Sequence, residues 1–363
     1  MFGAMRRSRW LILAGLCGLL AGCSREKRVE MPATQIRPAV ATAAVTDDAD
    51  DPAVWVHPRD AAASLVFGTN KVKAPRGALV VFDLEGKIRQ TVDGLDRPNN
   101  VDVEYGFLAG GKAVDVVVVT ERLRSRLRVY RIREDGSGVD EIGAVPVFEG
   151  ETGERNQPMG IALYKRPRDG AVFAIVSRKT GPSGSYLWQY RLQEAGGKIR
   201  GEKVREFGAF SGRAEIEAVA VDDELGYVYY ADEDDSIRKY AADPEAPEGN
   251  RELARFATSG FKGNREGIAI YAQPGGAGYV ICTEQVAGNS AYHLFPRAGA
   301  PGNPHDHSRV LGVFRGGADA TDGLDATSAA LGPKFPAGVL IAMNSAGKNF
   351  LFYRWEDIEA ALR

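Results

Sequence analysis

Ala53-Val54-Trp55-Val56 is followed along the chain by Asn100-Val101-Asp102-Val103, Gly160-Ile161-Ala162-Leu163 and Ala218-Val219-Ala220-Val221, then by Gly267-Ile268-Ala269-Ile270 and Gly323-Leu324-Asp325-Ala326. Each is a small or polar residue, an apolar one, a small or acidic one (Trp55 in the first motif being the exception), and another apolar or small one. The starts are 47, 60, 58, 49 and 56 residues apart, so six units of about fifty residues emerge. Within each unit a turn leads to an apolar run: Leu65–Asn70, Val114–Glu121, Ala171–Arg178, Gly226–Glu233, Gly278–Gln285 and Gly338–Ser345. An alternating segment with an aromatic comes next: Ala78–Leu84, Arg126–Ile132, Tyr186–Leu192, Ser236–Tyr240, Ala291–Pro296 and Asn349–Trp355. Several units add a fourth stretch, as in Val204–Phe210, Glu252–Thr258 and Arg309–Phe314. Short runs of Val, Ile, Tyr and Phe bounded by Gly, Asp and Pro are strand signals. Helical periodicity is weak and confined to Trp355–Leu362. Four strands per repeat at this period predict an all-β fold, a six-bladed β-propeller over 46–363, with the first strand of each blade lining the central channel.

Composition agrees. Gly supplies 43 of 363 residues, about 12% against a usual ~7%, as many tight turns require. The apolar fraction of 44% excludes long-range disorder. A formal charge of −2 excludes a generally basic nucleic-acid binder, and no nucleic-acid partner is expected.

The first segment reads as an address. Arg6-Arg7-Ser8-Arg9 precedes an apolar run from Trp10 to Leu20 and then Leu20-Ala21-Gly22-Cys23. That run is too short to span a bilayer, and the pattern is that of a secretory signal over 1–22. Its end resembles a bacterial lipobox, which implies lipidation of Cys23 and membrane attachment through that lipid. Ser24 after the Cys points by the same analogy to the outer membrane of a Gram-negative envelope. The three arginines before Cys23 leave with the signal, so 43 basic and 48 acidic residues remain. Residues 23–45, rich in Pro, Ala and charge, are expected to be a flexible tether. Cys282, inside Tyr279-Val280-Ile281-Cys282, is expected to be a small buried hydrophobe.

Some motifs lead nowhere. Gly106-Phe107-Leu108-Ala109-Gly110-Gly111-Lys112-Ala113 nearly matches a phosphate-binding loop, but the strand pattern after it predicts a hairpin turn. His305-Asp306-His307 sits in a Gly/Pro/Asn stretch and is expected to be a solvated loop. Asp232-Glu233-Asp234-Asp235 lacks the Gly and terminal Glu of an EF-hand. The chain has no G-x-S-x-G, H-E-x-x-H or paired C-x-x-C.

Acidic residues cluster at equivalent places near the ends of the inner two strands. The set is Asp50, Asp51, Asp102, Glu217, Asp232, Glu233, Glu266, Asp322 and Asp325. Lys71, Lys73, Arg122, Arg178 and Lys179 also follow second strands. Corresponding positions in a propeller converge on one face, so many carboxylates would repel one another unless cations intervene. Hard oxygen donors in number favour several Ca²⁺ ions, and interspersed Lys and Arg suit a ligand bearing phosphates. Asp47-Asp48 and Asp222-Asp223-Glu224 are read as solvated loop ends.

Taken together, Asp48-Ala49-Asp50-Asp51-Pro52-Ala53-Val54-Trp55, Gly68-Thr69-Asn70-Lys71, Asn99-Asn100-Val101-Asp102-Val103, Lys203-Val204-Arg205-Glu206-Phe207, Glu266-Gly267-Ile268-Ala269-Ile270-Tyr271 and Thr321-Asp322-Gly323-Leu324-Asp325 resemble the β-propeller phytases, alkaline calcium-dependent enzymes of bacteria. The similarity runs in order from about 46 to Tyr353-Arg354-Trp355. It implies calcium-dependent hydrolysis of phosphomonoesters of myo-inositol hexakisphosphate (phytate, free or as its calcium salt) by attack of a calcium-activated water. By position it implies catalytic carboxylates at Glu217, Glu233, Glu266 and Asp325, and phosphate clamps at Lys71, Lys73, Arg122 and Lys179. Metal ligands are implied at those four acids and at Asp51, Val101, Asp102, Asp232 and Asp322. A monomer is expected. Departures are Met159 in place of a Tyr, Thr180 in place of an acid, Ala218 in place of Gly, Asn264 in place of Asp, and Met343-Asn344-Ser345 in place of Gln-Asp-Gly. These departures keep open a non-catalytic calcium-binding module for phosphorylated ligands or an envelope partner. A metal-dependent hydrolase of another ester, such as a lactone, is also open, since fold does not fix function.

Overall fold

The computed structural model describes Met1 and residues 34–362. The expected signal at 1–22, the lipidation site Cys23 and the tether residues up to 33 lie outside the described residues, Met1 apart.

Residues 34–362 form the expected six-bladed propeller, each blade an antiparallel sheet with a core of four strands. From the channel outward, blade 1 is Ala49–Trp55, Leu65–Asn70, Gly77–Asp83 and Ile88–Leu95. Blade 2 is Pro98–Ala109, Lys112–Glu121, Arg126–Ile132 and Val139–Pro146. Blade 3 is Pro158–Lys165, Val172–Arg178, Leu187–Ala195 and Lys198–Phe207. Blade 4 is Val219–Asp222, Tyr227–Asp232, Ser236–Ala241 and Ala254–Phe256. Blade 5 is Ile268–Ala272, Gly278–Glu284, Ala291–Pro296 and Gly312–Arg315. Blade 6 has Leu324–Thr327, Val339–Asn344 and Asn349–Arg354 from its own repeat.

Blade 6 takes its outermost strand from the other end of the chain. Val40–Ala41 pairs antiparallel with Asn349–Arg354 (Val40 opposite Phe352), and Thr34–Gln35 adds a parallel fifth strand to blade 5. Ile36, Thr42 and Val45 are buried. The tether expectation is therefore corrected over 34–45: this segment is a clasp that closes the ring. Its short strands have no repeat of their own, so only the pairing itself identifies them.

Each pair of neighbouring blades encloses one apolar cluster, because strands buried on both faces present side chains to two sheets. Between blades 2 and 3, Val116, Val118 and Leu127 meet Ile161, Val172 and Ala174. Equivalent clusters fill the seams between blades 1 and 2, 3 and 4, 4 and 5, 5 and 6, and 6 and 1. Cys282 is fully buried in one of them, as expected. Gly110-Gly111 forms the predicted hairpin turn between the first two strands of blade 2. The last strand runs into a helix, Trp355–Leu362, whose Trp355 stacks on Tyr271 at 3.4 Å between ring centroids.

The small residue that opens the repeated motif has a steric cause. A Cβ on Gly160 of blade 3 would stand 1.6 Å from the carbonyl oxygen of Glu217, just before blade 4. One on Gly323 would stand 1.9 Å from Asp51 of blade 1. The inner backbones pack so closely around the axis that these positions admit no side chain.

Candidate functional site

In an up-and-down blade, the start of the inner strand and the end of the second strand emerge on the same face. Six blades therefore gather six pairs of such ends around one mouth. Glu217 and Glu266 precede the inner strands of blades 4 and 5, and Glu233 follows the second strand of blade 4. Lys71, Arg122 and Lys179 follow the second strands of blades 1, 2 and 3.

The centre of the mouth is carboxylate-rich. One oxygen each from Glu215, Glu217 and Glu233 lies within 4.8 Å of the other two. Asn99 Nδ2 donates to Glu217 Oε1 at 2.5 Å and so fixes that carboxylate, while Asn99 Oδ1 is buried without a donor. Glu233 is 5% exposed. Its burial, then the neighbouring Glu266, Glu217 and Glu215, push its pKa up to about 9. Glu266 is raised to about 8 by burial and by Glu217 and Asp322. Asp322 accepts from Gln285 Nε2 at 2.5 Å and is raised chiefly by its burial.

Cations alternate with these acids. Lys71 Nζ contacts Asp50, which is fully buried, and lies 3.5 Å from Asp322. Burial works against the Lys71 charge, but Asp50, Glu217 and Asp322 outweigh it and hold the pKa well above the usual value. Lys179 pairs with Glu215. Arg122 is buried, and its Nε donates to Gln157 Oε1 at 3.1 Å. Lys73 is exposed on the 71–76 loop.

A second acidic group stands inside the channel, a cavity of about 340 Å³ whose lining includes Asp51, Asp102, Asp223 and Asp325. Asp325 accepts the N–H groups of Val54 and Ala326 at 2.8 and 2.7 Å, and Asp102 those of Leu163 and Val103 at 2.6 and 2.7 Å. Asp51 Oδ2 accepts the N–H of Val101 at 3.0 Å, which places Val101 beside it. Burial raises Asp102 to about 8 and Asp325 to about 6.

The structure thus brings Glu217, Glu233, Glu266, Asp322, Lys71, Arg122 and Lys179 to the mouth, and Asp51, Val101, Asp102 and Asp325 to the channel. Asp325 lies outside the Glu215, Glu217 and Glu233 cluster but lines the same channel cavity as Glu266. Asp232 is also turned away, and its assignment as a ligand is corrected. Its oxygens take the Ser211 N–H and hydroxyl at 2.7 Å each, and Arg238 Nη2 at 2.8 Å. Two solvated readings are corrected as well. Asp222 forms a buried two-point pair with Arg297, both contacts at 2.6 Å. His307 is 1% exposed; its Nδ1 donates to the Pro296 carbonyl at 2.7 Å and its Nε2 accepts from Lys239 at 3.1 Å.

Sequence reasoning passed over Glu215, whose signal was its i, i+2 spacing from Glu217 in an extended segment. It also passed over Gln157 and Gln285, neutral residues that only the folded contacts reveal.

Chemically, the mouth offers clustered hard oxygen donors beside ammonium and guanidinium groups. That is a donor set for a divalent cation next to a phosphoryl group.

Comparison with known proteins converges on one family. The Phytase family model matches residues 10–363. The chain is 32% identical over 323 residues to the 3-phytase of Bacillus subtilis (strain 168), a match covering 86% of this chain and 80% of that protein. By its sequence and its propeller alike, the chain belongs to the phytase family.

Proposed function

We propose that the chain is a phosphoric monoester hydrolase that releases phosphate from phytate with calcium as its cofactor. The observation that carries this reading is the interleaving at one mouth of Glu215, Glu217, Glu233 and Glu266 with Lys71, Arg122 and Lys179.

The residues fit calcium. Carboxylates held this close, with burial lifting Glu233 and Glu266 to about 9 and 8, are stabilised by a multivalent cation and repel one another without it. Glu217, Glu215, Glu233 and Glu266 would hold the ion at the mouth, and Asp51 with Asp102 and Asp325 offers further oxygen donors in the channel. When bound, calcium lowers the pKa of a water and neutralises phosphoryl charge.

The chain's own groups do the rest. Asn99 fixes the Glu217 carboxylate in one orientation. Lys71, anchored through Asp50, and Arg122, anchored through Gln157, hold charge at fixed points for phosphate oxygens. Lys179, paired with Glu215, links the phosphate clamp to the carboxylate set. The site would thereby bind one phosphoester oriented towards the carboxylates.

Phosphate release from phytate, measured with calcium and with a chelator at neutral to mildly alkaline pH, tests the reading. Calcium-dependent release is expected; no release at any calcium level would overturn it. By the same proposal the enzyme is a monomer, attached through lipid at Cys23 to the outer membrane of a Gram-negative envelope. Leu20-Ala21-Gly22-Cys23 supports that placement.

A further inference from the structure

The segments that bring acids to the mouth from blades 4 and 5 are tied to one another in series. Glu233 donates its backbone N–H to the carbonyl of Glu215 at 3.1 Å. Its own carbonyl accepts the backbone N–H of Arg265 at 3.2 Å, and Glu266 is the next residue. The same Glu233 carbonyl also accepts Nη1 of the Arg265 side chain at 2.9 Å. Arg265 Nε donates at 2.8 Å to the carbonyl of Ala257, at the start of the loop that leads to Glu266.

Arg265 is 5% exposed, yet its side chain donates to backbone carbonyls where Arg238 and Arg297 pair with acids. Among the described residues no carboxylate forms an ion pair with it, and burial works against its charge. A buried guanidinium without an acid is not there for the stability of an ion pair. What it supplies is a rigid fork of donors that reaches carbonyls of two separate segments at once. The guanidinium carbon stands 4.4 Å from the centre of the Phe261 ring, and that ring stacks on His293 at 4.1 Å. His293 is held in turn by Glu284 at 3.0 Å. The fork thus has a fixed seat.

We propose that Arg265 is a positioning residue of the calcium site, which sets the separation of Glu233 and Glu266 through the backbone it ties together. The inference rests on the calcium reading of the mouth and deepens it. Coordination needs oxygen donors at set distances, and a slip of either segment moves a donor.

Calcium titration calorimetry on folded protein tests this without turnover. R265M removes the fork and keeps an apolar stem, while R265K keeps the charge but loses the fork. E217Q marks the mouth, as the sites whose calcium binding it weakens. R205M is the comparison for stability alone. Arg205 is 6% exposed and also holds carbonyls, those of Ala241 and Gly249, but from the outer strand of blade 3. Kd for calcium at the mouth should rise by about 10- to 100-fold in R265M and severalfold in R265K. R205M should melt earlier and keep the parental Kd. A parental Kd in R265M, or equal weakening in R205M, would overturn the proposal. If R265M does not fold, a parental Kd in R265K would overturn it. A parent protein that binds no calcium would sink the calcium reading itself, an outcome distinct from a parent and R265M that bind it equally.

Discussion

Asp325, on the inner strand of blade 6, accepts the backbone N–H of Val54, on the inner strand of blade 1, at 2.8 Å. This contact spans the seam where the ring closes. Asp51 and Asp102 make the same kind of contact to the next blade, with Val101 and Leu163. Channel carboxylates of this sort join blades as well as offering oxygen to a cation.

D325N is therefore expected to act on stability first. The new amide N–H must face either Val54 or Ala326, both donors, which costs about 1–3 kcal/mol for the unsatisfied group. A thermal midpoint lower by about 2–6 °C should follow. Phosphate release by the folded variant should fall less than in E217Q. Loss of activity with an unmoved melting point would instead make the role of Asp325 catalytic.

Asp232 and Glu233 are adjacent and have opposite expected phenotypes. E233Q removes one of a crowded set of acids, so phosphate release should drop by roughly 10²-fold or more, with calcium binding weakened. In chelator its melting point should not fall. D232N breaks a buried pair with Arg238, which costs on the order of 3–5 kcal/mol, and should leave calcium affinity nearly unchanged. Calorimetric calcium titration and melting curves on both variants decide the matter. Equal loss of calcium affinity in the two would contradict this division.

The N-terminal clasp is the third test. Deleting 34–42 strips the outer strand from blade 6 and exposes the edge at Asn349–Arg354. Unpaired strand edges seek other chains, so the truncated protein should melt earlier and aggregate on heating. I36D, which puts a charge at a buried apolar position, should show a milder form of the same defect. Light scattering during thermal unfolding reads both, and a truncated protein as stable as the parent would show the clasp to be dispensable.

The inner and second strands were legible in the sequence because burial on both faces demands long apolar runs. Ile88–Leu95 and Val139–Pro146 were not, since an outer strand half in water needs few apolar residues. The outer strand of blade 6 was invisible for another reason: its partner is some 310 residues away. At the site, motif position sufficed to find Glu217, Glu233 and Glu266. It could not separate Asp232 from Glu233, because Arg238 and Ser211, which claim Asp232, come from a neighbouring strand and loop. Nor could it show that Asp325 is held by the backbone N–H groups of Val54 and Ala326.

His307 carries a pH dependence that sequence alone read as solvent. Burial, followed by the Lys239 charge beside its Nε2, lowers its pKa to about 4. The groups facing it are Lys239, His305, the rings of Tyr229 and Phe256, and Asp306, whose opposing pull is weaker. Unfolded, the imidazole titrates near 6.5. The unfolded chain therefore takes a proton that the folded one refuses between about pH 6.5 and 4. The stabilising contribution is complete above pH ~6.5 and is lost as pH falls through about 4, amounting to about 3 kcal/mol. H307Q cannot titrate. Urea unfolding of parent and H307Q, both saturated with calcium, should show their stability difference shrinking by about that amount across this window. Calcium release at low pH affects both proteins alike and cancels in the difference. A difference that stays level from pH 7 to 4 would mean that the folded His307 accepts its proton as readily as the unfolded one.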